Sequence, residues 1–353
     1  MIDLLEAYKG KKVFLTGHTG FKGSWMCLVL TLAGAEVTGY SLEVPTAPSL
    51  FELLGIKNII HNSIIGDIRD ITKLEKAVLK AKPEIIIHMA AQPLVRESYD
   101  NPVYTYETNV MGTVNILETA RKCESVKSIV NVTTDKVYKN NEWIWGYREN
   151  EPLNGYDPYS NSKSCSELVT SSYKNSFFNE KGIPVSTCRA GNVIGGGDFA
   201  KDRIIPDCLR AIENNTEIIV RNPNSTRPYQ HVLEPVCAYL YLALLQIENP
   251  NLASEYNIGP DDIDCVTTSE LVDMFCKSWG DGIEWNSISE NNARHEANFL
   301  KLDCSKIKQA ILWEPRWHVS DAIENITEWN KTYRERGNLR SVMEEQILTY
   351  LNK

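Results

Sequence analysis

Nothing in the chain pairs its cysteines. Nine are scattered through 353 residues with no Cys-x-x-Cys spacing. The odd total excludes a disulfide framework or thiolate zinc site and fits reduced thiols in a cytoplasmic protein. The six histidines show no metal-ligand spacing either, so no metal is expected. Apolar runs stop short of the roughly 20 residues a membrane helix needs. The start Met1-Ile2-Asp3-Leu4-Leu5-Glu6 lacks the basic and then apolar layout of a signal peptide. Positive charge is in deficit: the formal net charge of -9 disfavours nucleic acid as a partner. Internal repeats, linkers and low-complexity segments are also missing. A soluble protein with a large core is expected, and a soft prior of roughly 150 residues per domain suggests about two domains.

What is present is a repeated alternation of strand and helix patterns. Lys12-Val13-Phe14-Leu15-Thr16 reads as a strand, and Gly17-His18-Thr19-Gly20-Phe21-Lys22-Gly23 as the turn into a helix running to about Leu32. Glycines spaced three apart let backbone approach a pyrophosphate, whose charge then sits at the helix N-terminus. Between a strand and a helix this predicts dinucleotide binding. Glu36 to Tyr40 is a second strand. It ends in Ser41-Leu42, with Glu43 beyond, and no arginine follows to meet a 2'-phosphate. NAD is therefore favoured, with NADP kept open by His18 and Lys22.

Asn58 to Ile65 is a third apolar run, followed by Gly66-Asp67-Ile68-Arg69-Asp70, where Asp70 is a candidate helix cap. Glu84 to His88 is a fourth strand, and the small Met89-Ala90-Ala91-Gln92 after it leaves room for a cofactor against the backbone. Asn109 falls in the following long helix.

Ser128-Ile129-Val130-Asn131-Val132 has the apolar, β-branched pattern of a strand covered on both faces. It delivers Thr133-Thr134-Asp135-Lys136 out of the sheet together. Tyr159 and Lys163 follow on a helix opened by Asp157-Pro158, a good cap and a good first helical residue. A separation of four puts them on one helix face. A phenol with pKa of about 10 is a poor base near neutrality, and an ammonium one turn away would lower it. An ordinary amphipathic helix would also carry such a pair by chance.

Pro184 to Arg189 is a sixth strand, and Ala190 to Asp198 is a glycine-rich loop. Beyond it the pattern loosens into scattered helices and short strands. The expected architecture is α/β. A Rossmann-type doubly wound parallel sheet over 1–190 carries the catalytic residues, and 191–353 forms a smaller α+β substrate domain from which some chain returns to the first. The site belongs at the carboxyl ends of the strands. Arg203, Arg227 and Arg294 are candidate diphosphate donors in the second half.

These motifs, together with the Trp-rich Glu142-Trp143-Ile144-Trp145-Gly146-Tyr147-Arg148-Glu149 and with His231-Val232-Leu233-Glu234-Pro235, resemble the extended short-chain dehydrogenases that act on nucleotide sugars. Within them the likeness is to the 4,6-dehydratases of CDP-glucose, and it covers nearly the whole chain. The resemblance implies an NAD-dependent lyase acting on CDP-glucose, in an early step of deoxysugar biosynthesis for surface polysaccharide such as the O-antigen of lipopolysaccharide. It implies Gly17, Thr19, Gly20, Phe21, Lys22, Gly23, Asp67, Ile68, Ala90, Ala91, Gln92, Asn109, Tyr159 and Lys163 around the cofactor. Asn192, Arg203, Arg227 and Arg294 would meet the substrate, and Thr134, Asp135, Lys136, Tyr159 and Lys163 would do the chemistry. Asp135 matches the acid for the C6 hydroxyl. Lys136 stands where dTDP-glucose enzymes carry a glutamate base, and it is either the C5 base or an electrostatic stabiliser of the enolate. A 4-epimerase needs Tyr and Lys but no Asp-Lys pair after the Thr. A homodimer through the helices bearing Asn109 and Tyr159 is also implied.

Overall fold

A computed structural model describes residues 2–288 and 298–353. Seven parallel strands form the central sheet: β1 (Lys12–Thr16), β2 (Glu36–Ser41), β3 (Asn62–Ile65), β4 (Ile85–His88), β5 (Ser128–Val132), β6 (Val185–Arg189) and β7 (Glu255–Asn257). Their order is β3-β2-β1-β4-β5-β6-β7, the doubly wound order extended by one strand. The central strands β4 and β5 are buried on both faces, so their sequences run apolar without alternation.

Helices cover both faces. α1 (Phe21–Leu32) is apolar all round because it lies against the sheet on one side and against Leu233–Glu248 and Leu339–Asn352 on the other. α2 (Ile71–Ala81) is amphipathic: Leu74, Ala77 and Val78 face inward at helical spacing. Asp70 caps its start by accepting from the Lys73 amide, and Lys82 ends it in the left-handed region at φ 47° before Pro83. Burial of Leu74 and Val78 contributes about 1.5–3 kcal/mol each. The third helix contains a π turn, Glu107–Met111, before α3 (Gly112–Lys122), a feature the apolar periodicity does not reveal.

The chain leaves this layer after β6 and returns to it. Leu233–Glu248 packs on β5, and β7 pairs with β6 in register Glu255–Thr187 to Asn257–Arg189. A second core, with Ile205, Cys208, Val220, Leu271, Phe275, Ile323 and Ile326 among its members, belongs to a smaller unit built from helices and two-stranded pairs. All nine cysteines are free. Among the described residues, no helix is long and apolar enough to cross a membrane.

Candidate active site

The strand ends of β1, β4, β5 and β6 converge on one region. Gly17 turns at φ 80°, with Ala90 so near that an added methyl would sit 2.9 Å from its amide nitrogen. A methyl on Gly23 would overlap the Gly17 carbonyl. Gly20 caps α1 without a side-chain hydrogen bond, so the first amides of α1 lack a capping partner from its side chain. A methyl on Gly20 would meet only the Gly17 carbonyl, at 3.5 Å, so packing within the protein does not demand glycine there. The open backbone there leaves room for close approach by a phosphate, and the cradle fits a dinucleotide.

Thr19 Oγ1 donates to the Leu42 carbonyl at 3.0 Å and lies 2.9 Å from Ser41 Oγ, closing the end of β2 with hydroxyls. His18 does not reopen that end to a 2'-phosphate. It is buried, its Nε2 lies 2.8 Å from Ser63 Oγ, and burial lowers its pKa to about 4, so the ring is neutral. Lys22 points its charge elsewhere: it feels Arg203, Asp135 and Asp198, and burial first, then Arg203, brings it down to about 8. Asp67 is held by the Arg69 guanidinium at 2.8 Å, which keeps its carboxyl below the ordinary range. Ile68 packs on Gly112, where only hydrogen fits.

Asn109 is buried in the π turn. Its Oδ1 accepts from the Gln92 amide at 2.8 Å, and its Nδ2 donates to the Gln92 carbonyl at 3.1 Å and to Ser162 Oγ at 2.9 Å. It thereby ties the loop Ala90–Gln92 to α4 (Pro158–Tyr173). Asp157 caps α4, accepting from the Ser160 amide at 3.0 Å, and Pro158 occupies the first turn.

Tyr159 on α4 lies beside Thr134, just past the end of β5, near enough for Thr134 to lower the pKa of its phenol. Burial pushes its phenol up to about 12, with Thr134 and the Arg203 charge pulling it down and Asp135 and Asp157 pushing it up. Lys163 lies one turn beyond Tyr159 on the same helix, where its Nζ donates to the Val132 carbonyl at 3.1 Å, and the Arg203 charge also acts on the phenol. Burial, then Lys22, lowers Lys163 to about 7, and Glu167 opposes them. Asp135 is buried, accepts from Thr134 Oγ1 at 3.0 Å and from Asn192 Nδ2 at 3.1 Å, and packs on Gly191. Lys136 is half-buried in the short turn Asp135–Val137.

Arg203 donates to Asp198 at 2.9 Å. Arg227 is buried on the strand Thr226–Pro228 and donates to the Thr226 carbonyl at 3.0 Å. Arg294 lies outside the described residues. Sequence reasoning did not place Asp198 as the Arg203 partner, and it missed Glu167 and Arg189. A signal existed for two of these: Glu167 follows Lys163 by one helical turn, and Arg189 is a charge ending a buried strand.

The strand order, the glycine turn and the Tyr-x-x-x-Lys helix beside Thr134 define an extended short-chain dehydrogenase of Rossmann type. The family model for GDP-mannose 4,6 dehydratase matches residues 14–326, and the chain belongs to that family. It is 50% identical to the CDP-glucose 4,6-dehydratase of Salmonella typhimurium, across 100% of this chain and 99% of that one. It is 24% identical to the CDP-paratose 2-epimerase of Salmonella typhi, across 91% of this chain and 99% of that one. In fold it is similar to the crystal structure of a dTDP-glucose 4,6-dehydratase from Bacillus anthracis in complex with NAD. There the TM-score is 0.76 at 20% identity, with 93% of this chain and 99% of that one covered.

Proposed function

We propose that this protein converts CDP-D-glucose to CDP-4-dehydro-6-deoxy-D-glucose and water, as an NAD-dependent nucleotide-sugar 4,6-dehydratase. The observation that carries the reading is Asp135, buried beside Thr134 and Tyr159 and held by Asn192: a carboxyl group at a place where a 4-epimerase needs none. The 50% identity to a CDP-glucose enzyme supports the cytidine nucleotide.

NAD, when bound, would supply the redox chemistry: an acceptor for hydride from C4 and a donor of hydride to C6. Tyr159, as phenolate, takes the C4 hydroxyl proton, with Thr134 orienting its oxygen. Lys163 and Arg203 supply the positive charge that makes the phenolate accessible. The resulting 4-ketone acidifies the C5 proton, which Lys136 removes in its neutral form, and Asp135 protonates the departing C6 hydroxyl. The cradle of Gly17, Gly20 and Gly23 would hold the pyrophosphate of NAD. The hydroxyl-closed end of β2 and the neutral, buried His18 favour NAD over NADP. Asn192, Arg203 and Arg227 are the candidates for the sugar and its diphosphate.

A homodimer through adjacent helices is supported by exposed apolar side chains on both, Val103 and Met111 on one and Leu168 on the other. Light scattering of the purified protein tests it. The product would feed deoxysugar synthesis for surface polysaccharide in the cytoplasm.

The reading is tested by incubating the protein, with and without NAD, against CDP-, UDP-, dTDP- and GDP-glucose and following loss of one water by mass spectrometry. Loss confined to CDP-glucose is expected. No loss from any of the four, with cofactor bound, would overturn it.

A further inference from the structure

Glu167 stands on α4 one turn beyond Lys163, buried, with both carboxylate oxygens engaged. Oε1 accepts from the hydroxyl of Thr133, the residue before Thr134. Oε2 accepts from Thr187 Oγ1 at 2.7 Å and from Arg189 Nη2 at 2.9 Å, both on β6. Arg189 Nη1 continues to the Tyr138 hydroxyl and the Glu149 carbonyl, each at 2.9 Å. Tyr138 donates in turn to Asn257 Oδ1 on β7 at 2.6 Å. One buried polar network thus joins α4 to three strand ends and to the Trp-rich segment.

A buried ion pair seldom returns its desolvation cost as stability, and apolar side chains of similar volume often serve as well. What a carboxylate adds here is negative charge one turn from Lys163. The groups facing that ammonium are few. Lys22 approaches from α1 and Glu167 lies on its own helix. His88, at the end of β4, is kept neutral by burial and by Lys163 itself, at about 3. Asp135, Asp198 and Arg203 act on Lys22; Asp135, Arg203 and Asp157 act on Tyr159. Arg189 stands beyond Glu167. Glu167 is therefore the carboxylate set directly against the Lys22 charge at Lys163.

We propose that Glu167 is a positioning residue for oxidation at C4. Its carboxylate offsets the charge of Lys22 at Lys163 and, through Thr133, fixes the strand end carrying Thr134 against the helix carrying Tyr159. This rests on the assignment of Tyr159 and Lys163 to that oxidation.

Three variants test it. Glu167→Asp keeps the charge, and Glu167→Gln removes it. Glu167→Gln with Arg189→Gln removes the pair together, leaving no unpaired guanidinium to unfold the protein. The first measurement is the pH at which Lys163 becomes reactive toward a small amine reagent, read by peptide mass spectrometry on the purified protein. Its midpoint should fall by about one pH unit in Glu167→Gln and in the double variant, but not in Glu167→Asp. The alkaline limb of kcat for CDP-glucose should move with it, with kcat at pH 8 down about tenfold and KM within about threefold. An unmoved midpoint in both charge-removing variants, with only a lower melting temperature, would overturn this role. If the wild type turns over no nucleotide glucose, the dehydratase reading fails, but the amine midpoint still decides: a shift upholds the hold of Glu167 on Lys163, and no shift defeats it.

Discussion

Asn192 donates from Nδ2 to Asp135 Oδ2 at 3.1 Å while its own backbone sits at φ 48°, in the left-handed region. Asparagine tolerates that conformation better than most side chains, whose cost there is roughly 1–2 kcal/mol. The preceding Gly191 presses on the same carboxylate, and a methyl on it would overlap Asp135. Gly191→Ala should therefore displace the acid and slow water loss at least about a hundredfold. Asn192→Gly, which frees the backbone but deletes the hydrogen bond, should fold normally and lose about tenfold, within the range of a charge-assisted hydrogen bond. Mass-spectrometric rates of water loss for both variants check this.

Asp135→Asn keeps the shape and removes the proton donor. Oxidation at C4, followed by the absorbance of reduced cofactor in a single turnover, should stay near the wild-type rate. Elimination should slow by about 10²–10⁴. Equal loss of both steps would show that Asp135 organises the site as a whole and is not the acid for C6.

Lys136 emerges in the turn after β5, half-buried, with its amide donating to Thr134 Oγ1 at 3.4 Å. As the C5 base it must exchange the C5 proton with solvent. In deuterated water, Lys136→Ala should therefore form reduced cofactor at C4 but incorporate no deuterium at C5. Wild-type incorporation in that variant would leave Lys136 as a stabiliser of the enolate.

Most of this geometry was legible along the chain because it is local. The strand–turn–helix of Val13 to Leu32, the Asp157-Pro158 cap and the Tyr159–Lys163 spacing depend on neighbours within a few residues, and β1, β4, β5 and α4 form where the apolar pattern and caps place them. The pairings that cross the sheet were not legible. Arg203 with Asp198, Asn192 with Asp135, and Glu167 with Arg189 depend on how loops and strands meet in three dimensions. The seventh strand is only three residues long and the π turn around Asn109 keeps a helical pattern, so neither carries a periodic signal of its own. Arg203 is another example: the spacing of Tyr159 and Lys163 carries no sign of it, and the fold brings its charge to act on the phenol.

Arg203 lowers the Tyr159 pKa against the burial that raises it to about 12. Removing the guanidinium in Arg203→Gln raises the phenol further, so the acidic limb of C4 oxidation should move to higher pH. The rate at pH 7 should fall about tenfold for each pH unit of that move. If the limb stays in place while only KM for CDP-glucose rises, Arg203 serves substrate binding alone.

Glu234, buried at the start of the helix Leu233–Glu248, anchors the C-terminal helix Leu339–Asn352. Its Oε1 accepts from the Arg316 and Trp317 amides at 2.9 and 2.8 Å, and its Oε2 accepts from the Tyr350 hydroxyl at 2.8 Å. Burial raises its carboxyl from 4.5 to about 7, against the lowering effect of those hydrogen bonds and of Arg316. Because the folded value lies above the unfolded one, the native state binds more protons between about pH 4.5 and 7, and stability declines as pH rises through that window. At about 1.4 kcal/mol per pH unit, the decline at pH 8 is on the order of 3 kcal/mol. Glu234→Gln keeps acceptor oxygen at the same site and has no charge to bury. Its melting temperature should match the wild type near pH 5 and exceed it at pH 8. A deficit at both pH values would mean that the second carboxylate oxygen, on Tyr350, matters more to the fold than the charge does.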